Sequence, residues 1–188
     1  GQRLVALSDR IFAFHHVTLI EYAKEIAEVK TIAPKSDRSC DVIDAGCGMK
    51  KSFRIREYIK GMKKRNKALR ILFVTVRRLH AINLDAEIGA VVGKDRRLYL
   101  QDKISEKDDV VVISLESLYR LENFPSFDIV ILDEIRSLAA ICSSPTLKRM
   151  DSISVLTAVC KGSQNIIAAD ADVGVDDAVL EMLSGLVQ

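Results

Sequence analysis

Short runs of apolar residues, each the length of one strand and separated by stretches with helical periodicity, constrain this chain more than any other feature. Residues 70–75 read Arg-Ile-Leu-Phe-Val-Thr, residues 110–114 Val-Val-Val-Ile-Ser, residues 127–132 Phe-Asp-Ile-Val-Ile-Leu and residues 165–169 Asn-Ile-Ile-Ala-Ala. Side chains alternate between the two faces of a strand, so a continuous apolar run requires both faces to be covered. That is the environment of a parallel sheet flanked by helices. Further strands are expected at residues 42–45 and, as a small one, at 98–100. Helices are expected over residues 53–64, 79–87, from Glu134 onward, 147–160 up to Gly162, and 175–187, with a helical turn through Leu118 and Tyr119. Near the start, Leu19, Ile20, Ala23, Ile26 and Ala27 stand at helical spacing, which predicts an amphipathic helix over residues 16–30. The chain thus divides into an N-terminal helical extension (1–39), ending in the polar break from Pro34 to Ser39, and one domain (40–188). The expected fold of that domain is a three-layer α/β/α sandwich with a mostly parallel sheet.

A length of 188 residues with 48% hydrophobic content suffices for one buried core. The net charge of +2 excludes a polycation that binds nucleic acid by bulk charge alone. Local charge says more. Between Lys50 and Lys67 the cations Lys50, Lys51, Arg54, Arg56, Lys60, Lys63, Lys64, Arg65 and Lys67 face a single acid, Glu57, whereas the C-terminal end carries Asp170, Asp172, Asp176, Asp177 and Glu181. The basic run reads either as the solvated face of a helix or as a phosphate-facing surface. Cys40, Cys47, Cys142 and Cys160 show no metal-ligand spacing and read as reduced thiols of an intracellular protein. His15-His16 has no partner ligands in sequence. With no 18-residue apolar run and no signal-peptide core, a soluble, unsecreted chain with no membrane partner is expected.

Residues 41–52 read Asp-Val-Ile-Asp-Ala-Gly-Cys-Gly-Met-Lys-Lys-Ser, a strand running into a glycine-bearing turn and then a basic helix start. Backbone N–H groups and a helix N-terminus converge in such a loop, which therefore suits an anion. The register Ala45-Gly46-Cys47-Gly48-Met49-Lys50-Lys51-Ser52 approaches the Walker A pattern Gly-x-x-x-x-Gly-Lys-Ser/Thr, in which the lysine reaches the β/γ-phosphates and the hydroxyl ligates magnesium. It departs at Lys50, which replaces the second glycine. If that position needs a glycine-only backbone angle, lysine costs on the order of 1–2 kcal/mol there. Weakened nucleotide binding is the expected consequence. The same segment is similar to the first motif of S-adenosylmethionine-dependent methyltransferases, a reading that also expects an acid at the end of the next strand. Thr75-Val76-Arg77-Arg78 supplies none.

Asp133-Glu134 closes the run at 127–132. In a phosphate-loop enzyme the aspartate of such a pair holds magnesium and the glutamate orients and deprotonates the attacking water. The alternative is that both merely cap the following helix.

The chain also resembles a known family over most of its length. Residues 71–84, Ile-Leu-Phe-Val-Thr-Val-Arg-Arg-Leu-His-Ala-Ile-Asn-Leu, look like motif Ia of the replication-origin-binding helicases of herpesviruses and other large DNA viruses. Residues 111–121, containing Ser114-Leu115-Glu116-Ser117-Leu118-Tyr119-Arg120, are similar to motif Ib. Residues 128–137 with Ser143-Ser144-Pro145-Thr146-Leu147 look like motif II and the stretch behind it, and residues 166–172 like motif III. Order and spacing match from about residue 40 to the end.

This resemblance implies a P-loop NTPase fold, the first of two RecA-like domains of a superfamily 2 helicase, with the second absent from this sequence. It implies ATP and Mg2+ as cofactors. Gly46, Cys47, Gly48, Met49, Lys50, Lys51 and Ser52 would surround the phosphates, Ser52 and Asp133 would hold the metal, and Glu134 would activate water. Arg77, Arg78, Ser117 and Arg120 would face a single nucleic-acid strand, DNA ahead of RNA, while Asp170 and Asp172 would couple hydrolysis to domain motion. Partners would be the second RecA-like domain or other replication proteins, in host cytoplasm or nucleus. Lys50 motivates the alternative of a helicase-derived binding module that has lost hydrolysis. Asp170 and Asp172 also read more plainly as caps of the final helix.

Overall fold

The computed structural model describes residues 16–21, 38–44, 51–76, 81–82, 88–89, 96–98, 108–121, 126–142, 150–170, 179 and 182–183. Its strands are β1 (His16–Glu21), β2 (Ser39–Asp44), β3 (Ile71–Thr75), β4 (Arg96–Leu98), β5 (Val110–Ser114), β6 (Ile129–Asp133) and β7 (Asn165–Asp170). Its helices are α1 (Lys51–Arg65), α2 (Ile135–Cys142) and α3 (Met150–Gly162), with a 3₁₀ helix, η1, at Leu115–Leu121. Helical backbone also occurs at 81–82, 88–89, 179 and 182–183, within or next to the segments expected as helices at 79–87 and 175–187.

The strands form one seven-stranded sheet in the order β1-β2-β7-β6-β3-β5-β4. Every pairing is parallel. Strands β3 and β5 are buried at every position, and β6 and β7 at every position but the last, as their uninterrupted apolar sequences require. The connection from β2 to β3 crosses the sheet in one direction, and those from β5 to β6 and from β6 to β7 cross in the other. Right-handed crossovers then place α1 on one face and η1, α2 and α3 on the opposite one, giving three layers. Helix α1 turns Ile55, Tyr58 and Ile59 inward at i, i+3, i+4 spacing, with Lys60, Lys64 and Arg65 exposed and its other lysines and arginines half-buried.

Three expectations are corrected. Residues 16–21 are a strand, not the start of a helix, and β1 pairs along its length with β2, from His16 beside Ser39 to Glu21 beside Asp44. This segment therefore belongs to the sheet and not to a separate helical extension. The sequence Val17-Thr18-Leu19-Ile20 is rich in β-branched residues, and an existing sheet edge outweighs a weak helical period. The small strand lies at Arg96–Leu98, two residues before the expected position. Gly162 is the last residue of α3 rather than a stop beyond it.

The amino edge of the sheet is tied together by polar contacts. The Asp128 N–H donates to the Arg70 carbonyl (2.9 Å), its carboxylate accepts the Arg70 N–H (2.7 Å), and its carbonyl accepts from Gln164 (2.9 Å) and Asn165 (3.0 Å). One residue thus joins the starts of β3, β6 and β7. The Arg70 guanidinium lies 4.7 Å from the centre of the Phe127 ring. The Asn165 side chain donates to Ser39 Oγ (2.8 Å) in a buried contact between β7 and β2. Arg38 donates to the carbonyls of Lys161 (2.8 Å) and Cys160 (3.3 Å) at the end of α3, where cations complement the helix dipole. Cys160 is buried, and burial together with nearby Cys40 pushes its thiol far up, keeping it protonated.

Lys63, within the basic run, acts as a structural clamp. Its ammonium donates to the carbonyls of Lys67 (2.6 Å) and Leu69 (3.0 Å) and pairs with Asp109 at 3.2 Å, with the lysine side chain 14% exposed. It fastens the turn after α1 to the start of β5. Lys63→Ala is expected to cost about 1–3 kcal/mol of stability, because the acceptors lose a half-buried charged donor. Replacing the exposed neighbour, Lys64→Ala, should stay within about 0.5 kcal/mol. Urea unfolding followed by circular dichroism measures both.

Candidate functional site

All strands being parallel, their carboxyl ends share one edge, the position at which open α/β sheets bind ligands. Along that edge the chain places Asp44 (β2), Asp170 (β7), Asp133 and Glu134 (β6 and its exit), Thr75 (β3) and Ser114 (β5). Register fixes their relations. Asp44 stands beside Asp170, and Asp133 beside Ala169. Strand β7 alone separates the strand that enters the glycine loop from the strand that ends in acids, so their ends lie about 10 Å apart, two interstrand spacings.

Helix α1 opens with Lys51 and Ser52, after six intervening residues beyond the end of β2. Its first turn holds no acid. The positive end of the helix dipole is therefore reinforced by Lys51, an environment for an anion. Ser52 is exposed and Lys51 half-buried. Gly46, Cys47, Gly48, Met49 and Lys50 lie outside the described residues, as do Arg77, Arg78 and Asp172.

The acid pair has a distinctive backbone. A single residue, Glu134, joins the end of β6 to the start of α2, and it does so with φ of 56°. Such left-handed geometry costs a non-glycine residue about 1–3 kcal/mol and is found where the surroundings impose it. The surroundings here are explicit. The Glu134 N–H donates to Asp133 Oδ1 at 3.1 Å, and its carbonyl accepts the first helical bond of α2, from Leu138 N–H at 3.0 Å. Glu134 is thus the N-cap of α2 by its main chain. Helix α2 has no acid in its first turn. The missing acceptor comes from β7: Asp170 Oδ2 receives the Arg136 N–H at 2.9 Å. A cap of this kind contributes about 0.5–2 kcal/mol, comparable with the strain it accompanies. Asp170 is thus a cap of α2, whereas the start of the final helix, which the plain reading had it cap, lies outside the described residues.

Ser117 and Arg120 sit on η1, which leaves the edge directly after β5. Ser117 is half-buried, and Ser114 Oγ donates to its hydroxyl at 3.4 Å, while Arg120 is exposed. Between them Tyr119 is 48% exposed, a flat apolar surface that residue spacing alone did not single out. Phe53, 43% exposed beside Ser52 with the Arg54 guanidinium 5.4 Å from its ring centre, is a second. Their signal in the sequence is the position of an aromatic residue off the buried helical stripe.

A separate cleft of about 350 Å³ lies between η1 and α3, lined by Leu121, Ser126, Asp151, Val155 and Val159 among others. Among the described residues that line it there is a carboxylate, Asp151, and no basic side chain. Among the described residues no group of three or more His, Cys, Asp or Glu side chains could hold a metal ion. Asp133 and Ser52 are among the hard oxygen donors near this edge, the ligand type that magnesium takes. No described helix is long and apolar enough to cross a membrane.

The family model described as "Origin of replication binding protein" matches residues 1–188. The replication origin-binding proteins of varicella-zoster virus, strains Dumas and Oka vaccine, are each 29% identical to this chain over 126 residues, covering 55% of it. The matched region is only 15% of the length of those relatives. Among solved structures, the Sulfolobus solfataricus SWI2/SNF2 ATPase core in complex with dsDNA superposes with a TM-score of 0.60 at 15% identity, covering 81% of this chain and 32% of that one. Mss116p bound to ssRNA and AMP-PNP gives 0.56 at 15% identity, covering 82% and 35%. The fold is the RecA-like α/β sandwich of helicase ATPase cores.

The strain at Glu134 is directly measurable. Glu134→Gly removes the penalty for positive φ and is expected to stabilise the folded chain by about 1 kcal/mol net of the glycine's own entropy cost, seen as a higher thermal midpoint.

Proposed function

The chain belongs to the origin-of-replication binding protein family, and on that premise we propose that it is the ATP-binding half of a nucleic-acid helicase or translocase motor. The supporting observation is the shared edge: β2, whose chain leads through the glycine segment to the basic, acid-free N-terminus of α1, and β6, which ends in Asp133 and Glu134, have their carboxyl ends two strand spacings apart on one edge of the sheet. Lys51, with the loop residues Gly46, Cys47, Gly48, Met49 and Lys50, holds the triphosphate by charge and by N–H groups. Ser52 and Asp133 hold magnesium, which neutralises phosphate charge when bound. Glu134 orients water toward the γ-phosphate and takes its proton. A single strand, DNA ahead of RNA, runs along the same edge past Arg77, Arg78, Ser117 and Arg120. Asp170 and Asp172 link hydrolysis to the movement of a second RecA-like domain.

Titration calorimetry with Mg-ATP, ADP and S-adenosylmethionine separates this reading from its rivals. Nucleotide binding is expected. Binding of S-adenosylmethionine without nucleotide favours a methyltransferase, and no ligand at all favours a binding module derived from a helicase. In the full-length protein Glu134→Gln is expected to lower the rate of phosphate release about 100-fold or more while leaving Mg-ATP affinity unchanged. Undiminished release removes the glutamate from the chemistry.

Strand binding has its own signature. Arg120→Ala should flatten the dependence of log affinity on log salt by about 0.7, the share of one phosphate contact on a single strand. Tyr119→Ala should weaken single-strand binding roughly tenfold with the slope unchanged, because a base stacked on a ring releases no counterion. Fluorescence anisotropy over a salt series checks both.

A further inference from the structure

We infer that Asp170 is a positioning residue for Glu134: by capping α2 it keeps the glutamate's backbone in its left-handed conformation. This rests on the proposed role of Glu134 in activating water, but the structural link stands apart from that role. Four contacts form a closed path. β6 delivers Asp133, whose carboxylate accepts the Glu134 N–H. Glu134 turns with φ of 56° and starts α2 with its carbonyl. The second residue of α2, Arg136, gives its N–H to Asp170. Asp170 ends β7, whose Ala169 is in register with Asp133, so the path returns to β6.

Helix α2 carries no acid of its own in its first turn, and its N-cap is a glutamate, a residue outside the preferred capping set. Asp170 therefore fixes where the first turn begins. With that turn fixed, the single linking residue has to redirect the chain between a strand end and a helix start, and Glu134 does so with a positive φ. Without the cap, the first turn frays and Glu134 relaxes toward an ordinary conformation, carrying its side chain away from the phosphate-facing edge. Strand β7 also lies against β2, with Asp170 beside Asp44, the last residue before the glycine loop. A displacement of the end of β7 thus reaches the loop and the glutamate together, which gives the proposed coupling role of Asp170 a physical path.

A thermal cycle on the protein tests the backbone link without nucleotide. Asp170→Ala should lower the thermal midpoint at least about twice as far in the Glu134→Gly background as in the wild type, because in the wild type the loss of the cap is partly offset by relief of strain. Equal shifts in both backgrounds overturn the link. Asp170→Asn, which keeps an oxygen acceptor, should stay close to wild type. Should Asp170→Ala not fold, hydrogen exchange at the Arg136 amide of the wild-type protein decides instead: protection is expected, and free exchange overturns the inference. The catalytic consequence is read in the full-length protein. Asp170→Ala should lower kcat for ATP about tenfold with KM within about twofold, Asp170→Asn should restore it, and adding Asp170→Ala to Glu134→Gln should cause no further loss. Multiplying losses show that Asp170 acts independently of the glutamate and overturn the positioning role. A wild-type protein without ATPase activity defeats the nucleotide reading, and the thermal cycle still decides the link.

Discussion

Strand β7 sits between β2 and β6 and pairs in parallel register with both, and the geometry of the carboxyl edge depends on that insertion. It holds the entry to the glycine loop and the acid pair about 10 Å apart, two interstrand spacings. The insertion is secured at the opposite edge, where Asp128 bonds the starts of β3 and β7 and the Asn165 side chain bonds Ser39 of β2. A clamp at one end of the sheet thus sets a distance at the other, because parallel strands in register cannot slip by one residue without turning every buried side chain outward.

At the working edge, local geometry is spent against intrinsic preference. Glu134 holds a conformation that most residues avoid, and the helix it starts borrows its cap from another strand. Elsewhere the local rules agree with one another: the apolar runs are buried, the α1 stripe faces inward, Lys63 meets carbonyls of the turn after α1, and Arg38 meets those at the end of α3. Among the described residues this strand-to-helix junction departs from local preference within a fold that otherwise obeys it, the kind of place where a functional constraint is expected to oppose stability.

Charge is arranged by position and not by excess. The net +2 hides a basic helix opening toward the same edge as the strand-end acids. The start of α1 is thus suited to a negative group and the strand-end carboxylates to a positive one, a complementarity that the proposed nucleotide and magnesium would meet together.

Much of this was legible in the sequence. Unbroken apolar strands dictate burial on both faces, hence a parallel sheet between helices, and hence a carboxyl edge where Lys51, Ser52, Asp133 and Glu134 would meet. Motif order placed the chain in its family before any coordinate was known. Three things needed the tertiary structure. His16–Glu21 became a strand only because β2 offered an edge to pair with, and a pairing partner is not written in a local period. The order in which β7 enters between β2 and β6 is a choice of the whole chain among crossovers that are equally allowed locally. The cap from Asp170 to Arg136 joins residues 34 positions apart, and the positive φ of Glu134 follows from fixing both ends of a one-residue link. Side-chain chemistry is carried by residues singly and can be read along a line, whereas register, insertion and strain arise from which segments touch.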